Sequence, residues 1–228
     1  MNPTITLYHG SSHIIRQPQL GLGNPKNDYG LGFYCTESLE LAKEWACTDT
    51  HGGYANRYEL SLDGLSVLNL SDPRYCILHW LNILLQNRIF DTRNEVTAIG
   101  KQYLTEHFHV DTSAYDIIRG YRADDSYFSF AQDFLDNVIT VKKLSAAMRL
   151  GRMGEQVVLI SPRAFQAIRF CDAEKAEQDI FYPLRKNRDE LARSEYFSGR
   201  QQFSLSEDDL FLADIIRGGV LANDPRLQ

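Results

Sequence analysis

Two short blocks in the first fifth of the chain combine an imidazole or aromatic side chain with glycine. The first, residues 7–11, reads LYHGS, and the second, residues 28–36, reads DYGLGFYCT. Glycine at a strand end lets a ligand approach the backbone, because no Cβ stands in the way. An imidazole and an aromatic ring beside exposed backbone are what a nucleotide-binding cleft needs. His9 and Tyr34 are therefore the first candidates for site residues.

Each block requires a strand that ends where its glycines begin. Residues 4–9 alternate polar and apolar side chains, which predicts a half-buried strand with His9 on its apolar face. Residues 11–27 contain prolines and glycines and predict an irregular loop, whereas 32–35 predict a short strand or turn. Thr36 is expected to cap the next helix, with Glu in its first turn. The predicted buried stripe of that helix is Leu41, Ala42, Trp45 and Ala46.

The rest of the chain mixes short strands with helices, without regular β-α alternation, which indicates the α+β class. The predicted strands are 57–62, 66–70, 115–118, 156–161 and 168–170, with the first two joined as a hairpin through Asp63 and Gly64. The predicted helices are one beginning at 72–73, then 93–108, 126–137, 141–150, 162–167 and most of the chain from 173, with interruptions near Pro183 and Gly199. Residues 1–171 are expected to form one domain, and 172–228 a helical extension packed on it.

Composition limits the classes of function. The chain has 228 residues, enough for one sizeable core or two small ones. Its formal charge of −6 argues against a general electrostatic grip on nucleic acid. No apolar run is long enough to cross a membrane, and the first residues carry no secretory signal pattern. The four cysteines form no CxxC pair, which is typical of reduced thiols, so a cytoplasmic location is expected.

The ordered blocks resemble those of ADP-ribosyltransferases of the His-Tyr-Glu type, which include diphtheria toxin and the poly(ADP-ribose) polymerases. Residues 9–11 are similar to the opening motif, and residues 32–36 with Ser38 and Ala42 are similar to the second motif. The chain resembles more closely an uncharacterised bacterial family, usually described only as a domain of unknown function. The further blocks of that family, Ala-x-x-Trp-Ala and Asp-x-x-x-Gly-x-x-Ala-Asp-Asp, have counterparts at 42–46 and 116–125. The resemblance covers roughly residues 5 to 170.

This resemblance implies a split β-sheet core with inserted helices, and NAD as the substrate. His9 would hydrogen-bond a ribose hydroxyl, the Gly10 backbone would bind the nicotinamide carboxamide, and Tyr34 would pack near the nicotinamide ring. A glycosyltransferase of this kind breaks the nicotinamide–ribose bond and passes ADP-ribose to a macromolecular acceptor, protein or nucleic acid. The resemblance also suggests a bacterial toxin or effector held in check by an antitoxin partner. The implied NAD-binding residues are Tyr8, His9, Gly10, Ser11, Gly32, Phe33, Tyr34, Thr36, Ser38 and Trp45.

The third position of the resembled pattern is a carboxylate at the start of a late strand. Gln156 occupies that position here, and its neighbour Glu155 should face the other way along the strand. A glutamine binds a hydroxyl but supplies no charge and no base. The chain therefore uses a Gln variant, draws on an acid elsewhere, or catalyses weakly. Asp124 and Asp125 are further candidates, although Asp125 or Ser126 also suits a helix cap.

Other chemistries find less support in the sequence. His9 with His13, and His107 with His109, lack partners at zinc-site spacing, so no metal is expected. The mixed charges of 184–200 are typical of a solvated helix face. A non-catalytic module that binds NAD, ADP-ribose or another nucleotide remains an alternative, as does a purely structural interaction protein. A third is an RNA 2′-phosphotransferase-like enzyme, which would need arginines around the cleft that the sequence does not clearly provide.

Overall fold

The computed structural model describes residues 3–123, 125–152, 154–201 and 208–227. Within these ranges the protein is a mixed α+β structure with two small sheets and eight α-helices, which confirms the predicted class. The strands are β1 (Thr4–Ser11), β2 (Phe33–Cys35), β3 (Gly53–Ser61), β4 (Val67–Asn69), β5 (Ile117–Tyr121), β6 (Glu155–Leu159) and β7 (Ile168–Ala176). The helices are α1 (Leu39–Ala46), α2 (Ile77–Asn87), α3 (Glu95–His107), α4 (Asp125–Leu135), α5 (Val141–Ala147), α6 (Pro162–Ala167), α7 (Gln178–Gln201) and α8 (Leu212–Arg217).

In the described part of the chain, the two sheets are joined by one bridge, a reciprocal pair of backbone hydrogen bonds between Tyr8 and Thr36. One sheet is antiparallel with the order β1-β3-β7, and the other has the order β2-β6-β5-β4 with β4 and β5 parallel. The Tyr8 amide donates to the Thr36 carbonyl (2.8 Å), and the Thr36 amide donates to the Tyr8 carbonyl (2.9 Å). Because the bridge is antiparallel, residues 9–11 of β1 run beside β2 in the opposite direction, but no further ladder pair joins the two strands in the described structure, so the sheets separate there.

Two apolar clusters hold this arrangement together. The larger packs α2, α4 and α5 against the four-stranded sheet, with Trp80, Phe130 and Val158 among its buried members. The smaller lies where the two sheets face each other and includes Leu7 and Phe33. Burial of large side chains of this kind contributes roughly 1.5–3 kcal/mol each. The smaller cluster therefore fixes the first predicted block relative to the second.

The hairpin predicted through Asp63 and Gly64 is wrong. The strand before this turn, β3, pairs with β1 and β7, whereas the strand after it, β4, pairs in parallel with β5 in the other sheet. The Asp116 carboxylate accepts a hydrogen bond from the Ser66 amide (2.9 Å) and directs the chain into the second sheet. A local turn signal identifies a reversal of the chain but not the partner of the next strand.

The helix after the second block begins later than predicted. Ser38, not Thr36, is its N-cap, and the Ser38 hydroxyl accepts a hydrogen bond from the Leu41 amide (3.3 Å). Its buried face also differs, because Glu44 is buried while Trp45 is half-buried. Glu44 tolerates burial because Arg188 pairs with both of its oxygens, at 2.7 and 2.8 Å.

The C-terminal elements are longer than predicted. The strand expected at 168–170 extends as β7 to Ala176, because residues 172–176 continue to pair with β3. Helix α7 runs without a break through Pro183 and Gly199, where interruptions were expected. Helix α4 begins at Asp125, so Ser126 lies inside the helix and is not its cap. Among the helices of the described ranges, none combines the length and apolarity needed to cross a lipid bilayer.

Candidate functional site

A cavity of about 330 Å³ lies where the two sheets separate. Five residues from the sequence-based set contribute to its walls, from β1, β2, α1 and β6: His9, Gly10, Tyr34, Trp45 and Gln156. The remaining lining residues are Asn27, Asp28, Arg88, Arg122 and Ala123. The fold thus brings the three proposed catalytic residues, His9, Tyr34 and Gln156, to one cavity from distant parts of the chain.

His9 is held in one tautomer by its surroundings. Its Nδ1 donates to the Tyr34 carbonyl oxygen (2.7 Å), and its ring stacks on Phe33 with the centroids 4.4 Å apart. Burial lowers the pKa of His9, although the hydrogen bond to Tyr34 opposes this effect. Because a carbonyl can only accept, Nδ1 carries the proton of the neutral ring. Nε2 is then an acceptor, suited to a hydroxyl donor on a ligand.

Tyr34 contributes its ring to the cavity wall, whereas its hydroxyl is engaged in hydrogen bonds within the preceding loop. The hydroxyl donates to the Gly30 carbonyl (2.6 Å) and accepts from the Tyr29 amide (3.0 Å), which closes the loop before β2. Burial raises the pKa of Tyr34, so the phenol is not an acid near neutral pH. Gly30 has φ +73°, and a Cβ there would lie 2.6 Å from Oδ1 of Asn87. Glycine is therefore required for this closure.

Gly10 brings bare backbone to the cavity. Backbone groups alternate along a strand, so those of Gly10 point to the same edge of β1 as those of Tyr8, away from β3. A Cβ on Gly10 would overlap the Ala42 carbonyl oxygen and lie 2.8 Å from the Ala46 nitrogen. The absence of a side chain lets α1 pack directly on β1, and this packing places Trp45 at the cavity.

Gln156 and Asp28 form a buried pair on the opposite wall, with only 4% and 5% of their surfaces exposed. Gln156 Nε2 donates to Oδ2 of Asp28 (3.2 Å), which also accepts from the Ala123 amide (2.8 Å). The other carboxylate oxygen accepts from Arg88 (3.2 Å). Gln156 Oε1 is buried and has no hydrogen-bond partner among the residues that the structure describes. Such an oxygen carries a desolvation cost that a ligand donor would relieve.

The charged side chains of the cavity as a whole favour an anionic ligand group beside its two arginines. Burial raises the pKa of Asp28, and the Ala123 amide, Arg88 and Arg122 oppose that effect. Arg122 lies over the ring of Trp45, 3.8 Å from its centroid. Two guanidinium groups and one carboxylate therefore face the cavity, which leaves a net positive charge. Guanidinium groups match the oxygens of phosphate in geometry as well as in charge.

Asp28 is one of the lining residues that the sequence did not single out, together with Asn27, Arg88, Arg122 and Ala123. Its block was identified, but only the glycines and aromatic residues were interpreted. The available signal was a carboxylate directly before Tyr29 and Gly30, in a segment predicted to approach a ligand. What reveals its role is the contact with Gln156, which lies 128 positions away in the chain.

Glu155 lies away from the cavity, as strand alternation predicts. Its carboxylate accepts from Nε of Arg119 (2.6 Å) and from the Ser71 hydroxyl, and Arg119 also pairs with Glu37. Burial would raise the pKa of Glu155, but the hydrogen bonds from Ser71 and Arg119 outweigh it and hold that pKa below its usual value. Asp124 lies outside the described residues, and Asp125 is described only as the first residue of α4.

The other residues implied by the resemblance do not line the cavity. Phe33 supports the His9 ring, Tyr8 and Thr36 form the bridge between the sheets, and Ser38 caps α1. The Ser11 hydroxyl accepts from Nδ2 of Asn56 (3.1 Å). A Cβ on Gly32 would lie 2.7 Å from Val158, so this glycine permits close packing on β6. Their observed contacts position the lining residues.

The fold and site define an α+β protein with a polar, positively charged cavity between two small sheets. The chain belongs to the family described as protein of unknown function DUF3990, whose family model matches residues 5–170. That range contains all the residues that line the cavity. Neither a curated protein nor a solved structure matches the chain. In the described part of the chain, no three His, Cys, Asp or Glu residues are grouped to hold a metal ion.

Proposed function

We propose that the protein is an NAD-dependent ADP-ribosyltransferase that cleaves the nicotinamide–ribose bond and transfers ADP-ribose to a macromolecule. The observation that carries the proposal is the meeting of His9, Tyr34 and Gln156 at one cavity, with a buried Gln156 oxygen that lacks a partner in the described structure. Each of these residues was selected from sequence as a site candidate, and they come from β1, β2 and β6. A cavity with unmet hydrogen-bonding capacity is suited to a polar ligand.

The proposed ligand contacts follow from the chemistry of each wall. His9 Nε2 accepts from one ribose hydroxyl, and Gln156 Oε1 accepts from another ligand donor. The Gly10 backbone offers both a donor and an acceptor, which match the two ends of a carboxamide. Tyr34 and Trp45 supply aromatic surface for the nicotinamide ring, and Arg88 with Arg122 supplies positive charge for the diphosphate.

The bond that breaks joins the nicotinamide nitrogen to ribose C1′. Its electron pair leaves with nicotinamide, which departs neutral, and positive charge moves onto the sugar. An acceptor nucleophile then bonds to C1′ and loses its proton. Hydrogen bonds that hold the ribose in one orientation favour this oxocarbenium-like transition state. A volume of about 330 Å³ suits the nicotinamide–ribose half of the dinucleotide rather than the whole.

The test is to incubate the purified protein with NAD and cell extract, and to measure free nicotinamide and ADP-ribosylated macromolecules. We expect both products from the unaltered protein and neither from His9→Ala or Tyr34→Ala. The matched control is Lys186→Ala, because Lys186 is exposed and lines a different cavity. The proposal fails if the unaltered protein releases no nicotinamide and modifies nothing, and if His9→Ala leaves any effect on bacterial growth unchanged.

The neutral side chain of Gln156 favours one alternative, a module that binds NAD or ADP-ribose without turnover. Glutamine binds a hydroxyl but carries no charge to stabilise a cationic sugar. NAD would then raise the unfolding temperature while nicotinamide release stayed at the level of a blank.

The two arginines at the cavity favour another alternative, an RNA 2′-phosphotransferase-like reaction. Arg88 and Arg122 provide at the cavity the positive charge that such an activity requires. An RNA oligonucleotide with an internal 2′-phosphate separates the two transferases. Loss of that phosphate in the presence of NAD supports the phosphotransferase, and its retention beside ADP-ribosylated macromolecules supports the leading proposal.

A toxin role with an antitoxin partner is part of the proposal and rests on the family resemblance alone. We expect induced expression in bacteria to arrest growth, and His9→Ala to abolish the arrest at equal protein level. A strain that grows equally well with both proteins would remove the toxin role without affecting the enzymatic proposal.

A further inference from the structure

We infer that Asp28 is a positioning residue that fixes the side-chain amide of Gln156, so that Oε1 faces the ligand as an acceptor beside a buried negative charge. The inference rests on the proposed NAD-cleaving function and deepens it. It explains how this site could work with an uncharged residue at position 156. The negative charge comes from Asp28, in the loop before β2, and it acts on the ligand through the Gln156 side-chain amide.

The orientation of the Gln156 amide follows from the contacts of Asp28. An ionised carboxylate only accepts hydrogen bonds, so the group that faces it at 3.2 Å must be the amide Nε2. The oxygen of the same amide is then directed away from Asp28. That oxygen is the buried atom without a partner in the described structure. Without Asp28, the Gln156 amide is free to rotate by half a turn. Its NH2 group would then face the ligand donor, and two donors would meet where an acceptor is needed.

Asp28 itself is held from three sides. Ala123, in the β5–α4 loop, donates its amide to Oδ2 (2.8 Å), and Arg88, at the end of α2, donates to Oδ1 (3.2 Å). Gln156 of β6 completes the set. The carboxylate thus has hydrogen bonds on both oxygens and cannot rotate away from the amide without breaking at least one of them.

The pair supplies more than orientation. A carboxylate hydrogen-bonded to one end of an amide polarises it and increases the negative charge on its oxygen. The ligand donor at Oε1 therefore meets a stronger acceptor than an isolated glutamine provides. As positive charge develops on the sugar, this preorganised negative potential stabilises the transition state more than the ground state.

A purely structural role for Asp28 makes a different prediction. Asp28 also anchors the loop before β2, so its substitution could lower stability alone. The variant Gln156→Glu separates the two roles, because it leaves Asp28 and its loop contacts in place. When protonated, the introduced carboxyl group can donate to Asp28 as Nε2 does and leave its second oxygen as an acceptor. When ionised, the introduced carboxylate instead repels Asp28.

The groups that set this titration come from several elements. Asp28 faces Arg88 from α2, Arg122 from the β5–α4 loop, and Tyr29 and Tyr34 from its own segment. His9 of β1 lines the same cavity and changes the pH response of the unaltered protein as well. For this reason the measured quantity is the ratio of Gln156→Glu activity to unaltered activity at each pH.

The experiment measures nicotinamide release from NAD and the affinity for a carbocyclic NAD analogue that cannot be cleaved. We expect the Gln156→Glu ratio to fall at least about tenfold between about pH 5 and pH 8, as the shared proton leaves the carboxylate pair. Gln156→Met, which has no donor or acceptor of comparable strength, should give a low ratio that is flat with pH. Asp28→Asn should lower analogue affinity and nicotinamide release together.

Each outcome is decisive. A Gln156→Glu ratio that rises with pH would mean that an ionised carboxylate at position 156 serves the reaction directly, and it would overturn the inference. A ratio near one at every pH would overturn it as well. If Asp28→Asn does not fold, the Gln156→Glu profile still decides. If the unaltered protein neither binds the analogue nor releases nicotinamide, the proposed function fails first and the inference falls with it.

Discussion

Two cavities of similar volume share Trp45 but differ in how their polar groups are satisfied. The candidate site measures about 330 Å³, and a second cavity of about 320 Å³ lies between α1 and α7. In the second, Glu44 is paired at both oxygens with Arg188, and Arg185 donates to the Cys47 carbonyl (3.1 Å). In the first, Gln156 Oε1 is buried without a partner in the described structure.

This difference is what we expect between a candidate binding site and a gap between structural elements. In the second cavity the buried Glu44 carboxylate is paired with Arg188, and this ion pair holds α7 against α1. The first cavity retains a buried acceptor, Gln156 Oε1, that has no partner in the described structure. Volume does not distinguish the two, whereas a buried acceptor without a partner does. The Trp45 indole N–H also lacks a partner in the described structure, but Trp45 lines both cavities. Substitutions should therefore affect stability in one cavity and ligand chemistry in the other.

The largest effect is expected on stability, from Arg188→Met in the second cavity. It leaves the Glu44 carboxylate buried without its cation, which should lower the free energy of unfolding by about 3–5 kcal/mol. Urea denaturation measures this change. The control is Arg193→Met, whose partner Asp189 is partly exposed, and there the expected loss is about 0–1 kcal/mol. Equal losses for the two variants would contradict the structural role of the Glu44–Arg188 pair.

The next effect is expected on turnover, from Gln156→Met in the candidate site. Removal of a preorganised polar group from the reacting centre should reduce nicotinamide release on the order of 100-fold. The unfolding free energy should fall by only about 1–3 kcal/mol, because the lost oxygen makes no hydrogen bond in the described structure and the lost Nε2 makes one, to Asp28, which keeps its bonds from Ala123 and Arg88. Lys186→Met, in the second cavity, should leave turnover unchanged. An equal loss in that control would remove the distinction between the cavities.

A smaller effect is expected from pH through His9. Burial lowers the pKa of His9 below the value of 6.5 for the unfolded chain. The unfolded state therefore binds the proton more readily, so this contribution to stability is complete above pH 6.5 and declines as pH falls toward the folded-state pKa. Affinity for the carbocyclic analogue should decline over the same range, as Nε2 becomes protonated. His9→Gln should remove this component, and an unchanged pH profile would refute it.

The smallest effect is expected in fluorescence. Trp45 and Trp80 are the two tryptophans of the chain, and Trp80 is fully buried in the larger core cluster. A ligand in the candidate site should displace or reorder Arg122 over the Trp45 ring and change the emission of that residue alone. Trp45→Phe should abolish the response, and Lys186→Met should retain it. A response that survives in Trp45→Phe would place the ligand elsewhere.

Sequence patterns predicted the parts of the fold that depend on neighbouring residues. The alternation of residues 4–9 predicted β1, and the start at Pro162 predicted α6 over its whole length. Sequence patterns failed where a structural feature depends on a strand or side chain far away in the sequence. The Asp63–Gly64 turn joins two different sheets, and the burial of Glu44 depends on Arg188, which is far along the chain.

In the candidate site, too, residues within short motifs could be predicted, whereas a residue defined by distant contacts could not. His9, Tyr34 and Gln156 were selected from short motifs and the family resemblance, and the structure shows that all three line one cavity. Asp28 was not selected, because its significance depends on contacts with Ala123 and Gln156 that no local pattern records. The opposite direction of Glu155 was predictable, since a strand alternates its side chains.

The pairing of β2 with β6 has a consequence for synthesis on the ribosome. Phe33 pairs with Leu159, and Asp28 receives its hydrogen bonds from residues made long after it. At roughly 5–20 residues per second, His9 and Tyr34 leave the ribosome several seconds before the strand that carries Gln156. The emerging chain therefore has two walls of the cavity and no third, and it is inert toward any ligand that needs all three. A site assembled in this order is complete only after most of its chain has been translated.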